Sequence, residues 1–191
     1  MRQPARTEHP RPSRRDRRCI GIAAVFALAL GAASATPSGP AAATEAAVPG
    51  TAAWSLVHEK GQSYCLAHAF FPRSRIALGF VSDGERVGVA LVHSAWRLRE
   101  SQEYEVAFRF DGGPATTARL TATDATAMAT ELDAEAEEGF RRAAVVEIVA
   151  TGVRTGGTLS LSGSSRAIDY VRTCGQIAAL SLEDNNASVR D

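Results

Sequence analysis

A chain of 191 residues is long enough for one domain with a real hydrophobic core. Its 21 basic and 21 acidic side chains balance to no net charge, and once the N-terminal residues are set aside no basic run remains of the kind that nucleic-acid or anionic-membrane binding draws on. Only three cysteines are present, which favours a single disulfide over a metal site once the N-terminal residues are set aside.

Those N-terminal residues read as an export leader. Arg11, Arg14, Arg15, Arg17 and Arg18 form a basic segment, and Ile20 to Leu30 form an apolar run. Ala33-Ser34-Ala35 is a small-x-small cleavage signal, so the expected signal peptide is 1–35, cut between Ala35 and Thr36. The apolar run is about half the roughly 20 residues a membrane-spanning helix needs. Arg14-Arg15 raises twin-arginine export, but Asp16 and further arginines follow where an apolar residue is expected, so the pattern favours Sec-type export. Cys19 precedes the apolar run and is not placed as a lipid anchor. Without seven arginines and two acids of the leader, 21 of each become 14 and 19, a net charge of −5. Cys65 and Cys174 then remain, bound for an oxidising compartment, and are expected to pair.

Residues 36–52, rich in Ala, Pro, Thr and Gly, read as a linker. Strands are expected over Trp54 to His58 and Tyr64 to Phe71, the second ended by Pro72. Ile76, Leu78 and Phe80 alternate, Ser82-Asp83-Gly84-Glu85 is a turn, and Val87 to Val92 is an apolar run suited to a strand buried on both faces. Tyr104, Val106, Phe108 and Phe110 alternate with Glu105, Ala107 and Arg109. Asp111-Gly112-Gly113-Pro114 turns the chain into a partner strand carrying Ala118, Leu120 and Ala122.

A short strand over Met128 to Leu132 leads to a helix capped by Asp133 and running to about Ala144. Glu135, Glu137 and Glu138 stand early in it and Arg141 and Arg142 late, as the helix dipole favours. Val145 to Val149 returns to strand, and Gly156-Gly157 turns. Leu159 and Leu161 alternate with serines, Gly163 breaks the run, and Ser164 or Ser165 can cap a last helix. That helix presents Ala167, Ile168, Val171 and Cys174 on one face and is expected to stop at Gly175. The fold class is therefore mainly β, an antiparallel sandwich or barrel-like domain over 53–178 with helices late in the chain. A polar tail over 179–191 is expected to be disordered.

The order of these features resembles the invasion-associated locus B family of small secreted proteobacterial proteins. The features are an opening tryptophan, a cysteine about ten residues on, the Tyr-x-Val-x-Phe-x-Phe-Asp-Gly-Gly hairpin, an acidic helix, and the closing Leu-Ser-Leu-Ser-Gly-Ser-Ser-Arg-Ala with its helix. The likeness covers roughly Trp54 to Cys174, and the chain departs from the family in lacking a second cysteine near its first tryptophan. It implies a periplasmic or envelope β-sandwich and carries over no catalytic residue.

Weighed by chemistry, the residues suggest no enzyme. Gly163-Ser164-Ser165-Arg166-Ala167 sits where a hydrolase nucleophile elbow would, but it lacks the second glycine, and no histidine follows it. His58, His68 and His93 form no metal-ligand pair, and Cys65 and His68 point to opposite faces of a strand. Lys60 has no Ser-x-x-Lys context. Trp54 and Trp96 are expected to pack in the core or at its rim, and Arg73, Arg75, Arg97 and Arg99 either cluster or coat a solvated face. No cofactor is expected. The reading that follows is an exported, non-enzymatic envelope protein binding an unidentified protein or small ligand. Rival readings are an inhibitor or protector of an exported hydrolase, using the loop Ser94 to Gln102, and a small hydrolase gathering His58 or His93 with a carboxylate.

Overall fold

A computed structural model describes residues 44–51, 53–58, 62–153 and 155–187. The expected leader and its cleavage point at Ala35–Thr36 lie outside them. The chain forms strands β1 (Thr44–Ala47), β2 (Ser55–His58), β3 (Cys65–Phe71), β4 (Ile76–Ser82), β5 (Val87–His93), β6 (Glu103–Phe110), β7 (Ala115–Ala122) and β8 (Ala127–Glu131). Helix α1 (Ala134–Arg142), strands β9 (Val145–Ala150) and β10 (Thr155–Ser160), and helix α2 (Ser164–Ala187) complete it. The fold is mainly antiparallel β with both helices in the C-terminal half, as expected. The strands form one open sheet of ten in the order β1-β2-β3-β4-β5-β8-β7-β6-β9-β10.

Side-chain alternation explains how the sheet packs. In β6, Val106 and Phe108 are buried while Glu105 and Arg109 face out, and β6 pairs with β7 on one side and β9 on the other. In β4 and β5 every residue is buried, so both faces of this part of the sheet are covered. The larger core lies on the face that meets the helices. Phe140 of α1 touches Phe80 of β4 and Phe108 and Phe110 of β6, with ring centroids 5.0–5.3 Å apart. One aromatic thus ties together the two halves of the sheet. Trp54 stacks on Phe80 at 5.1 Å, and its indole N–H donates to the Ser162 carbonyl at 3.0 Å. A smaller cluster on the opposite face includes Leu66, Ala77, Val81, Ala90, Val92 and Ala129.

Helix α1 is capped as its sequence anticipates, with the Asp133 carboxylate accepting from the Ala136 N–H at 2.7 Å. Gly139, a weak helix former, stands where a Cβ would lie 2.5 Å from the Phe110 ring, so close packing accounts for it. Glu137 binds α1 to α2, accepting from Arg141 Nε at 2.9 Å and from Arg172 Nη2 at 2.8 Å. Ile168 and Val171 of α2 are fully buried against the sheet, each worth about 1.5–3 kcal/mol of apolar burial.

Several local expectations are corrected, among them the turn at Gly156-Gly157, which lies within β10 and pairs with Val149 and Ile148 of β9. The segment expected to be linker contributes β1, which pairs with β2 from Thr44↔His58 to Ala47↔Ser55, and the adjoining Val48 is buried. Backbone pairing holds β1, since all four of its side chains are exposed. Gly175, expected to stop the last helix, lies inside it, and α2 runs on to Ala187 through part of the expected tail. Ser164 does not cap α2; its hydroxyl donates to the Phe140 carbonyl at 2.6 Å and fastens one helix to the other. Gly163 turns the chain into α2 with φ +87, a left-handed conformation that favours glycine.

Candidate functional site

The turn between β3 and β4 builds one wall of a small pocket. Pro72 ends β3, the Arg75 N–H donates to the Phe71 carbonyl at 2.8 Å, and Ser74 Oγ donates to the same oxygen at 3.2 Å. Arg75 takes up φ 58, a left-handed conformation uncommon for a side chain of its size. Register does the rest. Ala77 lies opposite Phe70 on one side and Val92 on the other, so the three side chains share a row on one face of the sheet. Phe70, Arg75, Ala77, Val92 and Ser94 enclose a cavity of about 260 Å³.

The pocket's chemistry is mixed. Ala77 and Val92 make an apolar floor, and Phe70, 51% exposed, makes an aromatic wall. At the rim, Arg75 Nη2 stands 3.5 Å from Ser94 Oγ, and Arg97 Nη1 donates to the carbonyls of Ser94 and Trp96. Two of the four arginines singled out in the sequence therefore meet at Ser94, and among the described residues no side-chain hydrogen bond joins Arg73 or Arg99 to them. None of the four forms an ion pair with a carboxylate among the described residues. His93 lies just behind, stacked on Trp96 at 5.6 Å, its Nδ1 accepting from the Ala95 N–H at 3.1 Å. Burial, and then the Arg75 charge, hold the His93 imidazole below its ordinary pKa. An apolar pocket with an uncompensated cation at its mouth suits an anionic group attached to an apolar body.

A second, more open cavity of about 340 Å³ lies between Pro49, Gly50, Arg166, Asp169 and Tyr170. Its two charged side chains are already engaged, Arg166 with the Gly50 carbonyl at 3.1 Å and Asp169 with Arg141 at 2.7 Å.

The other candidate residues lie apart. Trp54 and Trp96 are core residues, and the exposed aromatic that matters is Phe70. The Phe70-Phe71 doublet pointed to it, since adjacent residues of a strand face opposite ways. The loop Ser94 to Gln102 is stitched down, with Trp96 and Leu98 buried and the Leu98 N–H donating to the Ala125 carbonyl at 2.9 Å. Among the described residues, no histidine bonds a serine or threonine hydroxyl, and Ser165 has no imidazole beside it. Asp83 and Asp111 serve turns, accepting backbone N–H groups of Glu85 and Arg86 and of Ala144 and Val145.

Cys65 and Cys174 form a disulfide with Cα atoms 5.9 Å apart, joining β3 to α2. His68 lies on the opposite face of β3, with Nε2 3.7 Å from Glu45 of β1. It is His58, across the strand, that reaches the cystine, its Nδ1 3.6 Å from Cys65 Sγ. The sequence signal for this neighbour was the short connection between two strands, which places the last residue of one opposite the first of the next. No helix among the described residues is long and apolar enough to cross a membrane.

No family model matches the chain, and no curated protein matches it. Among solved structures it is similar to the crystal structure of invasion associated protein b from Bartonella henselae. The two share 16% identity over 64% of this chain and 94% of that one, with a TM-score of 0.46.

Proposed function

We propose that this protein is an exported, non-enzymatic binding module of the cell envelope, and that it takes an anionic group with an apolar portion into the pocket walled by Phe70 and Arg75. The observation that carries the reading is the Arg75 guanidinium, without a carboxylate partner among the described residues, at the mouth of a cavity floored by Ala77 and Val92. Export is supported by the basic, apolar and Ala-x-Ala order of residues 11–35 and by the disulfide. It predicts a mature N-terminus at Thr36, which mass spectrometry of protein from the native host checks directly.

Anilinonaphthalene sulfonate, an anionic and apolar fluorophore, tests the pocket. A charge-assisted contact is worth about 1.5–3 kcal/mol, so Arg75→Ala should weaken binding by roughly ten- to a hundredfold. Phe70→Ala should weaken the sulfonate and an uncharged phenylnaphthylamine alike, whereas Arg75→Ala should spare the uncharged probe. Unchanged sulfonate affinity in both variants overturns the assignment.

A further inference from the structure

We propose that reduction of the Cys65–Cys174 bond opens a binding site for a soft or borderline d¹⁰ cation, zinc(II) being the reference case, with His58 Nδ1, Cys65 Sγ and Cys174 Sγ as its protein ligands. The inference is independent of the Arg75 pocket, which lies at the opposite end of β3.

The backbone register brings these ligands together. Val57 pairs with Leu66, so one step further along the antiparallel ladder His58 stands opposite Cys65. Directly opposed residues of a sheet hold their Cβ atoms about 4.5–5.5 Å apart on the same face. Cys174 arrives from α2, which packs on that face. The three donor atoms lie within 4.8 Å of one another.

The spacing also matches the metal. Zinc binds thiolate sulfur at about 2.3 Å and imidazole nitrogen at about 2.0–2.1 Å, which for a tetrahedron separates the two donors by about 3.6 Å. Nδ1 of His58 and Sγ of Cys65 are already 3.6 Å apart. The two sulfurs, joined in the disulfide, must separate to a tetrahedral edge of about 3.8 Å, and nothing bonds them together once they are reduced. Cys65 is buried, whereas His58 and Cys174 are half-buried, so the site opens on their side. A water molecule can enter there as fourth ligand.

The chemistry makes the site conditional on redox state. A dithiol reductant gives two electrons and two protons to the cystine, yielding two protein thiols and its own disulfide. The cation then binds both sulfurs as thiolates and releases those two protons to solvent, while neutral His58 donates its Nδ1 lone pair. In the disulfide the same sulfurs carry no charge and are poor ligands. Cross-link and cation are therefore mutually exclusive, and each would fasten β3 to α2 by the same two residues.

Zinc alone, titrated against a chromophoric chelator, provides the test. The phosphine-reduced protein should bind one equivalent, and the oxidised protein should bind none with comparable affinity. His58→Ala, which keeps both cysteines, should weaken the reduced site by at least about tenfold, and Cys65→Ser or Cys174→Ser should abolish it. Cobalt(II) substitution should produce the visible bands of a tetrahedral centre with sulfur-to-metal charge transfer, lost in each variant. Should reduction loosen the fold, binding by an unfolded dithiol would not depend on His58. Equal affinity in wild type and His58→Ala, or no binding above the Cys→Ser variants, overturns the proposal.

Discussion

His68 carries a cost of burial that pH can read out. Its imidazole sits mostly buried on the face of β3 opposite the cystine, and Nε2 finds no hydrogen-bond partner among the described residues. Burial lowers its pKa below the ordinary value of 6.5, and the Glu45 carboxylate, 3.7 Å away, opposes that shift without cancelling it. The sign follows from linkage. Below about pH 6.5 the unfolded chain protonates this histidine more readily than the folded one, so stability is fully present above that pH and falls as the solution is acidified towards the lower folded value. His93 shifts the same way, through burial and the Arg75 charge, and adds to the slope. Urea midpoints should therefore drop from pH 7.5 to pH 5.5. His68→Gln should flatten part of the drop, and His68→Gln with His93→Gln should flatten most of it. A slope equal to wild type in the double variant would contradict this account.

At the scale of elements, Gly175 decides how helix α2 meets the sheet. A Cβ at this position would lie 2.5 Å from the Gly84 nitrogen and 2.6 Å from the Ser82 carbonyl oxygen, both backbone atoms of the turn between β4 and β5. Two effects compete in Gly175→Ala. Helix propensity favours alanine by about 1 kcal/mol. Forcing a methyl against a fixed backbone costs about 1–3 kcal/mol, and the turn cannot yield freely because Ser82 Oγ is held to the Arg86 carbonyl at 2.7 Å. Packing should win, and the variant should melt below wild type by thermal denaturation. The same glycine shows why the end of α2 was not legible in the sequence. Glycine inside a helix and glycine ending one are the same letter, and only the neighbouring turn distinguishes them. β1 was hidden for a related reason: Thr-Glu-Ala-Ala has no apolar alternation, and its order comes from hydrogen bonds to β2. Strands with a buried face, such as β6 and β7, were legible because burial writes a period of two into the chain. Of the candidate pocket, the arginines were visible but their meeting at Ser94 was not, because it depends on the register of β3, β4 and β5.

For the molecule as a whole, the cystine is the strongest single constraint. Its partners are 109 positions apart in sequence. Closing a loop of about 100 residues is worth roughly 4.7 kcal/mol in chain entropy, against a total stability of about 5–15 kcal/mol for a domain. Cys174→Ser should lower the melting temperature by many degrees. Amide exchange should accelerate first over 164–174, where α2 loses its covalent hold on β3 and keeps the packing of Ala167, Ile168 and Val171 and its polar ties to α1. Exchange rising uniformly across the sheet would show that its other contacts hold α2 in place without the bond.

The same bond has a mechanical meaning. A pull applied between Thr44 and Ala187 passes from β3 through the two sulfurs into α2 and never loads the chain between them. β1 and β2 can peel away and the end of α2 can unwind, yet β4 to β10 and α1 stay inside a covalent ring. At about 3.3–3.6 Å per residue, the 109 steps from Cys65 to Cys174 withhold roughly 360–390 Å of contour from extension. Tension alone would lengthen this protein only by its margins until the sulfurs part.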